Sequence, residues 1–395
     1  MKILITVNTY YPNKDGVEFV TKYLAEGLAS INNNSVEVLT SYANNGDNQN
    51  EVINKVKIKR FNIFTSHTIH HGEKDRYIKY VINNQEKFDV LINVGTQTAF
   101  TDWLLPYLKE ITLPKILYIH SIWDFNYHKW DFNSLNSFLS KSWANVRWKL
   151  YYNKWSTAFK NYNAVIQLHK MDYSCTFFKK KYGIDSLIFE NAAANSFFET
   201  RKDTRKDKGL GIHLPSKYIL NVANYDSRKN QIECLKTFLK AELPDDVSLV
   251  FVGSRKNSYY NKLVSYYNKN NRSNKKNAYF LTDIPRYYMP DIVSNASLFF
   301  LTSKWEAFPI SIIEAMASGV PFISSNVGIV RFLPGGVTFS NENEARYWLE
   351  ELFRKPFYMK DLGTLGHRYA LKYLNVDEKV SRFYSLLKKI VGESK

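Results

Sequence analysis

Residues 303–328 read SKWEAFPISIIEAMASGVPFISSNVG. Leu298–Thr302, just before them, is a short apolar run, and Pro321–Ser324 is another. Apolar runs this short, bounded by turn residues, are consistent with buried strands. Between them the spacing predicts one helix. Pro309 suits a first helical turn, where its missing N–H leaves nothing unpaired. Ile310 to Ser318 continues the helix. Gly319 is the residue type that ends helices, and Pro321 is a second stop. The segment is therefore strand, loop, helix, strand, the repeating unit of a parallel sheet. Glu306 falls in the loop before the helix and Glu314 near its middle. The helix start, with Pro309 supplying no N–H and Ile310 the first that can, offers unpaired N–H groups and a partial positive charge, a site for phosphate.

The same alternation extends in both directions. Ile3–Val7 is a strand, Tyr11–Gly16 a loop, and Val17, Val20, Leu24 and Leu28 recur at helical spacing. Val36–Thr40, Val90–Val94, Lys115–His120 and Ala164–Leu168 are further strands. RKDTRKDKG, from Arg201, then offers no apolar residue until Leu210, so 201–216 reads as a linker. A second series follows: strand Tyr218–Ala223, helix Gln231–Lys240, and strand Ser248–Val252 closed by Gly253. This predicts an α/β chain of two doubly wound, Rossmann-like domains, 1–200 and 217–376. A last helix at 377–395 is expected to pack back on the first. Ligands of such sheets bind beyond the carboxyl ends of the strands. Two sheets facing each other would make an interdomain cleft lined by Asn8–Gly16, Ser121–Asp124, Asn224–Asn230, Gly253–Lys256 and Ser303–Pro309.

Composition narrows the function classes. At 395 residues with 45% hydrophobic residues, the chain is not a disordered one. Its 54 Lys and Arg outnumber 37 Asp and Glu, a formal charge of +17, which favours anionic partners. Two cysteines exclude a disulfide framework. No apolar stretch reaches 18 residues, and the N-terminal run is too short for a signal peptide. The expectation is a cytoplasmic protein, or one peripheral on the inner face of a membrane. No Cys/His spacing suits zinc and no Asp-x-Asp occurs. His67, His70 and His71 lack regular ligand spacing, so no metal and no resident cofactor are expected. No nucleic-acid-binding module is visible, so nucleic acid is not expected as a partner.

With Glu306 and Glu314 separated by seven residues and followed by Ala315-Met316-Ala317-Ser318-Gly319-Val320-Pro321, the segment resembles the retaining glycosyltransferases of family 4. Their fold is GT-B. Other stretches resemble the family in the same order. Tyr11-Pro12 to Val17-Glu18 is similar to its N-terminal loop, with Asp15 where the first of two glycines stands and Gly16 as the second. His120 closes LYIHS like the family's active-site histidine. ILNVANYDSRKN, Ile219–Asn230, places Lys229 at the family's lysine position and Asn224 where an arginine is usual.

The resemblance implies transfer of a sugar from a nucleoside-diphosphate donor to a hydroxyl of a glycan or lipid-linked glycan, with retention, in bacterial surface-polysaccharide assembly. Charge develops on the leaving diphosphate, so fixed cations aimed there speed the step. Lys229 is the first such cation, and the adjacent Arg228 is the candidate replacement for the arginine that Asn224 displaces. Glu314 would accept from the two ribose hydroxyls, since a carboxylate suits a diol. Glu306 would contact the donor sugar, with the N–H groups of Ala307 and Phe308 beside it. His120 would stand near the sugar, and Gly16 would let backbone approach the ligand. Gly253, Ser254 and Ile284 complete the expected nucleotide contacts. The rival readings are a nucleotide-sugar epimerase or phosphorylase, and a non-catalytic sugar-nucleotide-binding paralogue.

A second signal is aromatic and basic. No acidic residue occurs from Phe132 to Met171, while Lys141, Arg147, Lys149, Lys154, Lys160 and Lys170 do. Trp148, Tyr152, Trp155 and Phe159 recur at helical spacing. They would face either an anionic membrane surface or the sheet of the first domain.

Overall fold

The computed structural model describes residues 1–12, 15–43, 47–66, 68–132, 134–199, 213–271 and 276–393. Most of the linker expected at 201–216 lies outside the described residues. The chain divides into two compact units, Met1–Glu190 with Val380–Lys395, and Asn191–Lys379.

Among the described residues the N-terminal unit contains ten strands. They are β1 Lys2–Thr6, β2 Ser35–Ser41, β3 Asn50–Ile53, β4 Val56–Phe61, β5 Ile63–Ser66, β6 Ile69–Gly72, β7 Val90–Val94, β8 Lys115–Ile119, β9 Ala164–Gln167 and β10 Leu187–Ile188. Eight of them form one sheet in the order β10-β9-β8-β7-β1-β2-β4-β3, and β5 pairs with β6 in a separate hairpin. Within the eight-stranded sheet the pairs are parallel except β3 with β4, and the β5–β6 pair is antiparallel. β7 and β8 are buried at every position, as strands covered by helices on both faces must be.

The final helix, Val376–Glu393, joins this unit from Val380 onward. The Phe383 ring lies 6.0 Å from that of Tyr118 and 4.9 Å from that of Phe189.

The C-terminal unit carries β11 Lys217–Val222, β12 Val247–Gly253, β13 Ala278–Thr282, β14 Leu298–Leu301, β15 Phe322–Ser325 and β16 Gly336–Phe339. They form a parallel sheet in the order β13-β12-β11-β14-β15-β16. This unit starts at Asn191, ahead of the charged run. Hydrogen bonding explains the early start. Asn191 Nδ2 donates to Phe308 O at 3.0 Å, Ser318 Oγ donates to Phe197 O at 3.1 Å, and Ala193 bridges to Asn375.

The aromatic, basic stretch forms the helix Leu135–Lys154 and a short helix Ser156–Phe159. Tyr152 and Phe159 are fully buried and Trp148 nearly so. Tyr152 and Phe159 belong to the core cluster of the N-terminal unit, and Trp155 packs against that cluster. The reading in which these four aromatics meet lipid is therefore overturned. Tyr152 stacks edge-on with Phe177 at 4.9 Å, contact that a membrane-facing ring would not have.

Candidate active site

In the C-terminal sheet the chain passes from β11 to β12 and β13 on one side, then to β14, β15 and β16 on the other. The loops after β11 and β14 diverge at this switch point, where open α/β sheets bind ligands. Lys229 ends one loop and Glu306 lies in the other. Lys229 Nζ meets Glu306 Oε1 at 2.6 Å, and Ser303 Oγ donates to the same oxygen at 2.7 Å. The loops are also tied through backbone: Lys304 N donates to Arg228 O at 2.7 Å, and Thr302 Oγ1 to Asn230 O at 3.0 Å. Asn230 takes a left-handed φ of 54°, which turns the chain into the helix Gln231–Lys240.

Arg228 stands apart from this group. Its side chain is 70% exposed, and Nε pairs with Asp226 Oδ1 at 3.2 Å. Burial works to raise the Asp226 carboxyl. The Arg228 backbone N–H and guanidinium outweigh it and leave that carboxyl below its ordinary range. Asn224 is exposed, and its carbonyl oxygen accepts from Gln231 Nε2 at 3.0 Å.

The helix after β14 is Ile310–Ala317, with Ser318 closing it and Pro309 at its N-cap. No side chain caps its start. Five of its apolar or small residues, Ile312, Ile313, Ala315, Met316 and Ala317, are buried, and so is Glu314. A carboxylate cannot stay charged in such surroundings without a partner. Arg286 supplies it: Nη1 donates to Glu314 Oε2 at 3.2 Å and Nη2 donates to Oε1, a two-pronged pairing. The guanidinium also lies 5.0 Å from the centre of the Phe197 ring. Arg286 was not singled out from the sequence. The available signal was a lone Glu within ISIIEAMA, which demands a cation without saying which.

The remaining nucleotide candidates lie at the ends of β12 and β13. A Cβ on Gly253 would fall 2.4 Å from the Tyr225 ring, so Gly253 is the residue that lets this ring cross the strand end. The Tyr225 hydroxyl donates to Leu281 O at 3.0 Å. Ser254 O accepts from Asp283 N at 3.2 Å, and Ile284, next in the chain, is half-buried. Ala307 O accepts from Ile329 N at 3.2 Å, and Phe308 is buried.

His120 and Gly16 belong to the N-terminal unit. His120 follows β8 directly and is 9% exposed, its ring 4.7 Å from that of Tyr118. Burial pulls the imidazole down to about 4, so it is neutral at physiological pH. Its Nε2 is buried with no hydrogen-bond partner among the described residues. Gly16 opens the helix Gly16–Ser30, and the Asp15 carboxylate accepts from Glu18 N at 2.9 Å. The residue replacing the family's first glycine is thus the N-cap of this helix. Buried Arg60, which pairs with Glu51, donates to Tyr11 O at 2.9 Å and holds the chain at that residue.

Among the described residues, no group of three or more His, Cys, Asp or Glu is arranged to hold a metal ion. His70 is used in packing: its Nε2 lies 3.0 Å from Asp102 Oδ2 and its Nδ1 2.9 Å from Thr65 Oγ1. No described helix is long and apolar enough to cross a membrane.

Residues 202–333 match the family model for glycosyl transferases, group 1. Lys229, Arg286, Glu306 and Glu314 all fall inside that stretch. Solved structures resemble the chain over nearly its whole length. Sucrose-phosphate synthase from Thermosynechococcus elongatus is 15% identical, covers 99% of each chain and has a TM-score of 0.75. The Anabaena protein HepE, in complex with UDP and glucose, is 15% identical over 98% of this chain and 100% of its own, with a TM-score of 0.70. WaaG, a glycosyltransferase involved in lipopolysaccharide biosynthesis, is 15% identical over 99% and 100%, with a TM-score of 0.68. The fold is GT-B. No curated protein sequence matches the chain. The family match and the fold together support a glycosyltransferase.

Proposed function

We propose that the protein moves a sugar from a nucleoside-diphosphate sugar to a hydroxyl of a glycan or lipid-linked glycan, with retention and without a metal ion. The observation that carries this reading is the group at the switch point of the C-terminal sheet. It joins Lys229 to Glu306 at 2.6 Å, and the uncapped start of Ile310–Ala317 follows in the same loop. In this proposal the diphosphate lies on the N–H groups of that helix start, where a partial positive charge favours an anion. Lys229 leaves Glu306 for the phosphate oxygens, and the released Glu306 accepts from hydroxyls of the donor sugar. Glu314, held by Arg286, keeps lone pairs that accept from the ribose diol.

The bond from the sugar's anomeric carbon to the diphosphate oxygen breaks, and the electron pair leaves with the diphosphate. The acceptor oxygen bonds to the same face, and its proton passes to the departing phosphate. The N-terminal unit takes the acceptor in this reading, with neutral His120 as a hydrogen-bonding group and Gly16 allowing close backbone approach. Arg228 has a lesser role, because Asp226 already holds it. By family prevalence, the pathway is assembly of a bacterial surface polysaccharide on the cytoplasmic side.

A thermal-shift screen with UDP-, GDP- and ADP-sugars identifies the donor. Free nucleoside diphosphate should then appear only when acceptor is added, and EDTA should leave the rate unchanged. Donor binding with no turnover on any acceptor would assign the chain to the non-catalytic class. Interconversion of donor sugars without acceptor would assign it to the epimerases.

A further inference from the structure

The helix Leu135–Lys154 has two apolar faces. Inward, Trp148 and Tyr152 are buried together with Asn145. Outward, Leu135, Leu139, Trp143, Val146 and Leu150 are each 53 to 72% exposed. At 3.6 residues per turn these five fall within an arc of about 80°, roughly opposite the buried face, along about 22 Å of helix. Beside the stripe at the helix start, Phe132 and Tyr127, 58 and 45% exposed, pack against Phe138 with ring centroids 5.3 and 5.6 Å away.

Cations border the stripe on both sides. By the same rotation Lys149 lies beyond one edge, and Lys154 and Arg147 beyond the other. Lys149 and Lys154 are exposed. No acidic residue occurs anywhere from Phe132 to Met171. An apolar strip edged by cations and carrying an exposed Trp matches the layering of a membrane interface, with acyl chains beneath and anionic headgroups at the same level as the lysines. A second copy of this helix fits poorly, since it would bring cations against cations with no carboxylate between them.

We infer that this outward face docks in the interface of an anionic phospholipid bilayer, the helix lying along the surface. The inference goes beyond the proposed transfer reaction and does not depend on it.

The test is co-sedimentation of the full chain with vesicles of phosphatidylcholine alone and of phosphatidylcholine mixed with phosphatidylglycerol. Binding is expected to the mixed vesicles only, and high salt should weaken it. Trp143→Glu with Leu150→Glu should lose at least about tenfold in vesicle affinity, and Lys149→Gln or Lys154→Gln about fivefold each. Melting curves should move little, because these side chains are exposed. Equal binding to both vesicle types, no binding, or unchanged binding by the Trp143→Glu, Leu150→Glu variant would overturn the inference. So would a wild-type dimer that this variant dissolves while no vesicles bind, which would give the face to a second copy. Transfer to a water-soluble acceptor is assayed in parallel. A chain that docks but does not transfer removes the proposed function and leaves the membrane face standing; the reverse result does the opposite.

Discussion

At the switch point of the N-terminal sheet, between β1 and β7, the helix Gly16–Ser30 starts under the carboxylate of its own Asp15. At the switch point of the C-terminal sheet, between β11 and β14, the helix Ile310–Ala317 starts at Pro309, with no side-chain cap. The topology is alike and the electrostatics are not. Asp15 already satisfies an N–H donor and offsets the positive end of its helix, so an anion gains little there. The second start keeps its donors, and a lysine waits nearby on an exchangeable carboxylate. In the proposed reading, a single capping position thus closes one doubly wound sheet to phosphate and leaves the other open to it.

The largest expected effect tests the open end. Lys229→Ala should lower kcat/KM by roughly 2.7–4 kcal/mol, the usual consequence of removing a preorganised group at a developing anion. Arg228→Ala should cost under about 1 kcal/mol, as an exposed pair does. Steady-state kinetics in which the two variants fall equally would mean that Arg228 leaves Asp226 for the ligand, and the contrast would need redrawing.

Next, Glu314→Ala should weaken donor binding by roughly 2–4 kcal/mol, two hydrogen bonds to a charged group, as read by calorimetry. Arg286→Met should instead act on the fold, costing about 3 kcal/mol in denaturant melts by leaving a buried carboxylate unpaired. If Arg286→Met melts like the wild type, Glu314 does not depend on it.

His120 supplies a pH test in the N-terminal unit. The unfolded chain protonates this group near its ordinary value of about 6.5, whereas the folded chain holds it down at about 4. Between those values the unfolded state binds the extra proton, so stability falls as pH drops from about 7 to about 4, by up to about 3 kcal/mol. His120→Gln should flatten that part of a melting-temperature profile. An unchanged profile would show that the imidazole charges in the folded state.

The smallest effect sharpens the closed end. Asp15→Ala should lose about 1 kcal/mol of stability, and Asp15→Gly only a few tenths. Donor affinity should be the same in both. A gain in donor affinity on removing Asp15 would show that the cap had been holding off an anion.

Much of this was legible in the sequence. β7 and the helix Gln231–Lys240 have the expected bounds, because an all-buried strand and an amphipathic helix leave clear patterns. β4 was missed. Its run VKIKRF reads as surface, yet Arg60 within it is 1% exposed, a burial made tolerable by Glu51 and the Tyr11 carbonyl. β16, only four residues long and starting on the second of two glycines, has no run long enough to read. Lys229 and Glu306 could be named from motif spacing, but not their mutual ion pair, which depends on strand order. Arg286 escaped because the partner of a buried charge is chosen by the fold. The helix at 135–154 could be read as amphipathic, but five further apolar residues on its other side were not weighed, and exposure alone distinguishes the two faces.

Tyr225 and Gly253 form a matched pair, the ring of one filling the place where the other lacks a Cβ. Sequence change at this point is therefore path-dependent. A side chain at 253 is tolerated only after Tyr225 has become smaller, and a smaller residue at 225 gives up the hydroxyl that reaches Leu281 O. Since residue 225 lies between Asn224 and Asp226, either order of replacement passes through a chain whose β11 loop has lost its anchor. Drift at the two positions should be correlated, and single exchanges there should be rarer than double ones.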